Sequence, residues 1–192
     1  MGKYTVKIYK GDYTSRQRAA NRDGAICYAE QHFNSSSDPQ SNCSLAIVAT
    51  NASKKSKDWG LLYANLVDKE FPEVPRLCGL SGLSVGGYDG RGNGNLVLTN
   101  MPAILCEPMF ASNPRHAETI RSDDGRSRLA KCLVDSITQM FPSGGLVALS
   151  IGHLYKTSKP HDKGAELVGG GTEGEYAEKV ILKAKEMLEA IC

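Results

Sequence analysis

An α/β fold built on a single sheet, mixed or mostly parallel and flanked by helices, is predicted by three features of the chain. Apolar runs at residues 44–50, 101–107 and 146–151 are long enough for buried strands and too short for helices. Segments of helical period alternate with them, most clearly over 127–141, where Leu129, Ala130, Leu133, Val134, Ile137 and Met140 share one side. Strand-like runs also end on reactive side chains, at His32, Glu107 and Gly152-His153, as expected where parallel strands deliver residues to a cleft.

Taken in order, residues 4–9 alternate in the strand manner and stop at Gly11-Asp12. Ser15 can cap a short helix through 16–22, which Asp23-Gly24 would end. Residues 25–34 read as a strand through Ile26 and Tyr28, with a helix as the competing reading; as a strand, Glu30, His32 and Asn34 share one face. A polar loop at 35–42 leads to the run at 44–50, and a basic loop at 51–57 leads to an amphipathic helix over 59–71. Residues 72–95 are rich in Gly and Pro without periodicity and predict a mobile loop of the kind that borders active sites. The strand ending at Glu107, a turn-rich exit at 108–114 and the helix at 127–141 follow. After the strand that ends at His153, Thr172 can cap a helix that places Glu173 in its first turn and keeps Tyr176, Ala177, Val180, Ile181, Ala184 and Leu188 in helical period.

The totals bound the reading. A chain of 192 residues fits one domain with a core of its own, and a net charge of +2 gives no pull toward nucleic acid or anionic lipid. No apolar run approaches the roughly 20 residues of a membrane span, and the first residues carry no apolar export signal. Six cysteines, at 27, 43, 78, 106, 132 and 192, lack any Cys-x-x-Cys spacing and read as reduced, buried thiols suited to a cytoplasm. His116 and His161 fall in polar stretches and read as solvated, as does the Lys54-Lys55-Lys57 run.

His32, His153 and Glu107 at strand ends, with Glu173 at a helix start, make the constellation that carries chemistry. Two imidazoles and a carboxylate form a three-ligand zinc site with an open position, and a further carboxylate nearby can act as base. Each residue also has a plain reading: a satisfied loop histidine, a strand-end salt bridge, or a charge complementing a helix start. Cys106, next to Glu107 along a strand, points to the opposite face, which argues against a thiol nucleophile.

These residues resemble the zinc-dependent N-acetylmuramoyl-L-alanine amidases of autolysins and phage endolysins. The family's Arg, Ala-Asn and strand ending in His-Ala-Asn look like Arg16, Ala20-Asn21 and His32-Phe33-Asn34. Its Pro-Ala segment, running to a catalytic glutamate and then Ser-Asn, resembles residues 101–114, with Glu107 in the glutamate's place. The family's first ligands, a Gly-His, an Asp-x-Gly-Ala and a metal-binding glutamate, should precede Arg16; here Gly152-His153, Asp162-Lys163-Gly164-Ala165 and Glu173 stand near the other end. The resemblance therefore implies a circularly permuted strand order, with the chain ends in the loop after the family's first helix. Glu173 is preferred to Glu175 as ligand because Tyr176, Ala177 and Val180 then keep the family's spacing. The chain departs from the pattern at Glu30-Gln31, where the family has Ser and an aliphatic residue, and at Met109, where it has Gly. Glu30 is thereby expected to point a charge toward the metal, and Met109 to narrow the cleft behind Glu107.

The resemblance implies a single catalytic amidase-like domain over residues 1–192. His153, Glu173 and His32 would hold Zn2+, Glu107 would act as general base, and Glu30, Asn34, Arg91 and Glu175 would neighbour the site. The substrate would be peptidoglycan, cut between N-acetylmuramic acid and L-alanine of the stem peptide, by a protein expected to be monomeric. The missing export signal and the thiols suit a phage lysin made in the cytoplasm and released to the cell wall through a membrane pore. Two other readings stay open, a catalytically inactive peptidoglycan-binding module and a zinc peptidase acting on free peptides.

Overall fold

In the computed structural model, which describes residues 2–75, 82–88 and 90–192, a six-stranded mixed sheet carries helices on both faces. The strands are β1 (Tyr4–Tyr9), β2 (Cys27–Gln31), β3 (Leu45–Val48), β4 (Leu83–Val85), β7 (Ala103–Glu107) and β8 (Gly145–Ile151), in the spatial order β1-β8-β2-β7-β3-β4. All neighbours run parallel except β3, which lies antiparallel to β7. A separate two-stranded ribbon pairs β5 (Gly87–Tyr88) with β6 (Arg91–Gly92). The helices are α1 (Tyr13–Arg22), α2 (Lys54–Glu70), α3 (Pro114–Arg121), α4 (Asp123–Met140) and α5 (Glu173–Glu189).

Alternation along the strands divides the interior. Val6, Ala29, Ile104, Cys106, Val147 and Leu149 pack with α2, α4 and α5 in the larger core, whereas Tyr9, Tyr28, Leu105 and Ala148 pack with Ala20 of α1 and Leu96 in a smaller one. Two-residue periodicity then places Glu30, Glu107 and Ser150 on the α1 side, while Cys106 faces the other way, as the sequence predicts. β2 and the end of β8, central strands covered on both faces, are solvent-free.

The element boundaries correct several expectations. Asp12, not Ser15, is the N-cap position of α1, and β2 is shorter than the strand read over 25–34, so His32 lies just past its end. The long helix after β3 begins at Lys54, because the Ser53 hydroxyl accepts from the Ser56 amide at 3.1 Å. The stretch 72–95 is not a structureless loop: β4 adds to the sheet edge and β5 and β6 form a ribbon, while residues 76–81 and 89 of it lie outside the described residues. Before α4 stands α3, started by Asn113, whose side chain accepts from the amides of Arg115 and His116, with Pro114 at the first helical position. His116 in that helix is buried, not solvated: the Phe110 amide donates to its Nδ1 at 3.0 Å, and its Nε2 lies 3.0 Å from Asn42 Oδ1. His161 is exposed. Cys27, Cys106 and Cys132 are buried free thiols, but Cys192 is exposed and Cys43 is disulfide-bonded; Cys78 lies outside the described residues. Cys43 thus departs from the reading of six reduced thiols.

Two further features position the site. β8 lies between β1 and β2, so a strand from late in the chain occupies the middle of the parallel region. The first and last described segments also meet, the Lys3 amide donating to the Ile191 carbonyl at 3.0 Å.

Candidate metal centre

β2, β7 and β8 all run in one direction, and their C-terminal ends open into one cleft. His32 follows β2, Glu107 ends β7, and Gly152-His153 follows β8. α5 enters from the far side of the loop and puts Glu173 in its first turn, where the unsatisfied amides and the helix dipole favour a negative charge.

His32, His153 and Glu173 offer one ligand atom each within 4.8 Å of one another. Glu173 Oε1 lies 2.8 Å from His32 Nδ1 and 3.1 Å from His153 Nε2, and accepts from the Phe33 amide at 3.2 Å. Glu173 Oε2 accepts from the Ala165 amide at 3.2 Å. The two imidazoles meet edge to face, with ring centroids 5.0 Å apart. Donor atoms around a tetrahedral zinc at about 2.0–2.1 Å stand roughly 3.4 Å apart, so this group already has near the spacing a zinc ion requires. Two neutral-capable imidazoles and one carboxylate are also the donor chemistry zinc prefers in a catalytic site, and the residues present fit the metal.

Each imidazole nitrogen pointing away from Glu173 meets another carboxylate. His32 Nε2 lies 2.9 Å from Glu30 Oε1, and His153 Nδ1 lies 2.8 Å from Asp162 Oδ1. Asp162 is held in turn by Lys156 Nζ at 2.6 Å and the Gly164 amide at 3.0 Å. Burial works against ionisation of Glu173, but hydrogen bonds from His153 and His32 hold its carboxyl well below the usual range. Burial likewise disfavours a charged His32, and its bonds to Glu173 and Glu30 outweigh it and raise the imidazole well above its ordinary value. Asp162 is lowered to about 2, burial being overcome by Lys156 and the Gly164 amide.

Glycine is required beside both histidines. A Cβ on Gly152 would stand 2.6 Å from His32 Nδ1, and one on Gly164, at φ +76, would stand 2.6 Å from Glu173 Oε2 and 2.7 Å from His153 Cδ2. His153 itself adopts φ 62, uncommon for a side chain without special tolerance of the left-handed region. Arg16, fully buried, clamps this turn: it donates to Ser150 Oγ and the Ile151 carbonyl at 2.8 Å and to the Leu154 carbonyl at 2.5 Å. A buried guanidinium satisfied by backbone acceptors on both sides of His153 holds the residue in that conformation.

The cleft has a volume of about 740 Å3, within the range of small-molecule sites, and its lining includes His32, His153, Glu173, Glu107, Asn34 and Arg91. Glu107 lines the same cleft, and one of its carboxyl oxygens, Oε2, is buried without a hydrogen-bond partner. Burial pushes its pKa up to about 8; the His32 charge opposes this and the Glu173 charge adds to it, while Arg91 pulls it down. Asn34 aligns the segment after β7, its amide donating to the Met109 carbonyl at 2.8 Å and its carbonyl accepting from Ala111 at 2.7 Å.

Other expectations are corrected here. Glu175 turns from the cleft: it accepts from the Thr172 amide at 3.1 Å and stands 3.5 Å from Lys163 Nζ, so it caps α5. Met109 packs fully buried in the larger core and does not line the cleft. Glu30 does not join the ligand cluster but stands behind His32. The roles of Asp162 and Asn95 were not apparent from the sequence. Asp162 stood inside a quoted motif nine residues beyond His153, a reach that only the loop geometry discloses.

Comparison with known proteins agrees with this architecture. The family profile described as N-acetylmuramoyl-L-alanine amidase matches residues 4–139. The catalytic domain of CwlV, an N-acetylmuramoyl-L-alanine amidase from Bacillus (Paenibacillus) polymyxa var. colistinus, superposes with a TM-score of 0.53 at 24% identity, over 69% of this chain and 66% of that one. The N-acetylmuramoyl-L-alanine amidase of Clostridium difficile 630 gives 0.56 at 21% identity, over 69% and 66%. Ami1 of Mycobacterium smegmatis gives 0.54 at 17%, over 66% and 59%. At these identities the likeness is one of fold, and the chain spans slightly less than two thirds of the length of the CwlV and Clostridium difficile structures. No protein of curated function matches the sequence. With the profile covering well over half of its length, the chain belongs to the N-acetylmuramoyl-L-alanine amidase family.

Proposed function

We propose that this chain is a zinc-dependent peptidoglycan hydrolase that cleaves the amide between N-acetylmuramic acid and L-alanine of the stem peptide. The observation that carries the reading is the convergence of His32, His153 and Glu173 within 4.8 Å in a cleft that also receives Glu107. His32, His153 and Glu173 would hold the ion. When bound, zinc supplies the Lewis acidity that makes water nucleophilic near neutral pH and polarises an amide carbonyl. Glu107 takes the proton of the attacking water and delivers it to the alanine nitrogen as the carbon–nitrogen bond breaks. A carboxyl whose pKa is raised by burial suits a group that must first accept a proton and then surrender it. Arg91, on the ribbon lining the cleft, is placed to meet a carboxylate of the stem peptide.

The same reading includes a permuted chain order and a single catalytic domain. Three observations support permutation: the family profile ends at residue 139, β8 and α5 beyond it carry two of the three proposed ligands, and the Lys3 amide bonds to the Ile191 carbonyl.

The test is elemental analysis of zinc in wild type, His32→Ala and His153→Ala protein, beside release of stem peptide from intact glycan. One zinc per chain, lost in both variants, together with peptide release that needs Glu107, is the expected result. A wild type that takes up no zinc after reconstitution refutes the metal reading. Zinc without amide cleavage leaves a wall-binding module instead.

A further inference from the structure

His32 follows a strand end, and both of its ring nitrogens face carboxylates. Its Nε2 side is built from buried groups. Glu30 has no solvent exposure, and its Oε1, 2.9 Å from His32 Nε2, also accepts from Asn95 Nδ2 at 2.6 Å. Glu30 Oε2 accepts from the Tyr28 hydroxyl at 2.9 Å and stands 3.6 Å from Arg16 Nη1. Asn95, Tyr28 and Arg16 all present donors, so Glu30 meets them as an ionised acceptor, its charge balanced by a guanidinium as buried as itself.

With Nδ1 committed to the metal, an acceptor fixed behind Nε2 holds the hydrogen that the ring keeps. We infer that Glu30 is a positioning residue that keeps a proton on His32 Nε2 and so reserves the Nδ1 lone pair, on the Glu173 side, for the metal. The inference rests on the metal reading of the site given above. It assigns a role to a residue at which this chain departs from its family, where a serine cannot reach as far. Asp162 stands in the corresponding place behind His153, so both imidazoles face the cluster with their outer nitrogens anchored on carboxylates.

The decisive comparison is wild type against Glu30→Gln, which preserves size and an acceptor oxygen but removes the charge. Zinc affinity is measured by competition with a chromophoric chelator, and the His32 ring by proton–nitrogen NMR in metal-free and zinc-loaded protein. The variant is expected to bind zinc about 10- to 100-fold more weakly. Wild type is expected to show a His32 Nε2–H, hydrogen-bonded and slow to exchange, whose resonance moves upfield in the variant. A variant affinity within twofold of wild type overturns the inference, as does a His32 ring with no proton on Nε2. If wild type takes up no zinc, the functional reading fails by itself, and the shift of the His32 Nε2 proton between wild type and Glu30→Gln still decides whether Glu30 anchors that nitrogen. Should Glu30→Gln not fold, the zinc-loaded wild-type spectrum settles the same question, a proton on Nε2 supporting the inference and one on Nδ1 overturning it.

Discussion

Replacing Glu107 by Gln tests the site through stability as well as catalysis. The carboxyl titrates near 8 in the metal-free protein because it is buried with one oxygen unpartnered, against 4.5 when unfolded. Below pH 4.5 both states are protonated. Between the two values the unfolded chain releases a proton that the folded chain keeps, so folding stability falls as pH rises and is lowest above the folded value. At about 1.36 kcal/mol per pH unit the loss amounts to about 4–5 kcal/mol by pH 8. Glutamine is neutral throughout and fills the same space. Urea unfolding in the presence of a chelator should therefore show matched stabilities at pH 4.5 and a variant more stable by several kcal/mol at pH 8. Activity should meanwhile drop by on the order of 10² to 10⁴ with zinc content unchanged. Parallel pH profiles for the two proteins would refute the buried, protonated carboxyl on which the argument depends.

Gly164→Ala should weaken zinc binding by at least about tenfold, since its Cβ collides with Glu173 and His153 from a backbone at φ +76; undiminished affinity in a chelator competition would show that the loop yields freely. His116 is lowered to about 4 by burial, so it stabilises the fold above pH 6.5 and this contribution is lost as pH falls toward 4. Acid unfolding of wild type and His116→Gln should accordingly differ by roughly 2–3 kcal/mol across that window, and equal acid sensitivity would count against a neutral buried imidazole. Joining residue 192 to residue 2 by a short linker and opening the chain between 141 and 145 should give a folded, zinc-binding protein, because Lys3 and Ile191 are already hydrogen-bonded. A product that fails to fold would count against interchangeable ends.

What the sequence disclosed was governed by how strongly each element is determined locally. β8 was legible because Val147, Leu149 and Ile151 form an apolar run too short for a helix, and α5 because Thr172 and Glu173 open a regular helical period. β4 escaped notice because a three-residue edge strand set among glycines has no period to detect; its pairing with β3 is a tertiary fact. α3 was missed although Asn113 and Pro114 are a helix-start signal, since the same pair also reads as a turn. The ligand cluster was readable as residue types at strand and helix ends. The carboxylates behind the histidines were not: Glu30 precedes His32 by two positions, yet its partners Arg16 and Asn95 reach it only through the folded sheet. Glu175, two residues beyond Glu173 on a helix, is set apart from it as a ligand by the apolar spacing, but its capping role shows only in its direction.

The place of β8 between β1 and β2 has a consequence for the order in which this protein is made. Strands β1, β2, β3 and β7 leave the ribosome before it, yet β1 joins β2 only through β8, which pairs with both. A nascent chain that has reached residue 140 therefore exposes two unpaired strand edges, which invite association with other chains. It also holds His32 and Glu107 without His153 or Glu173. Sheet closure and assembly of the site fall in the same late step, and the long-range pairing of residue 4 with residue 145 makes that step slow in relation to helix formation. A chain that stops short of β8 therefore lacks two of the three side chains proposed as ligands.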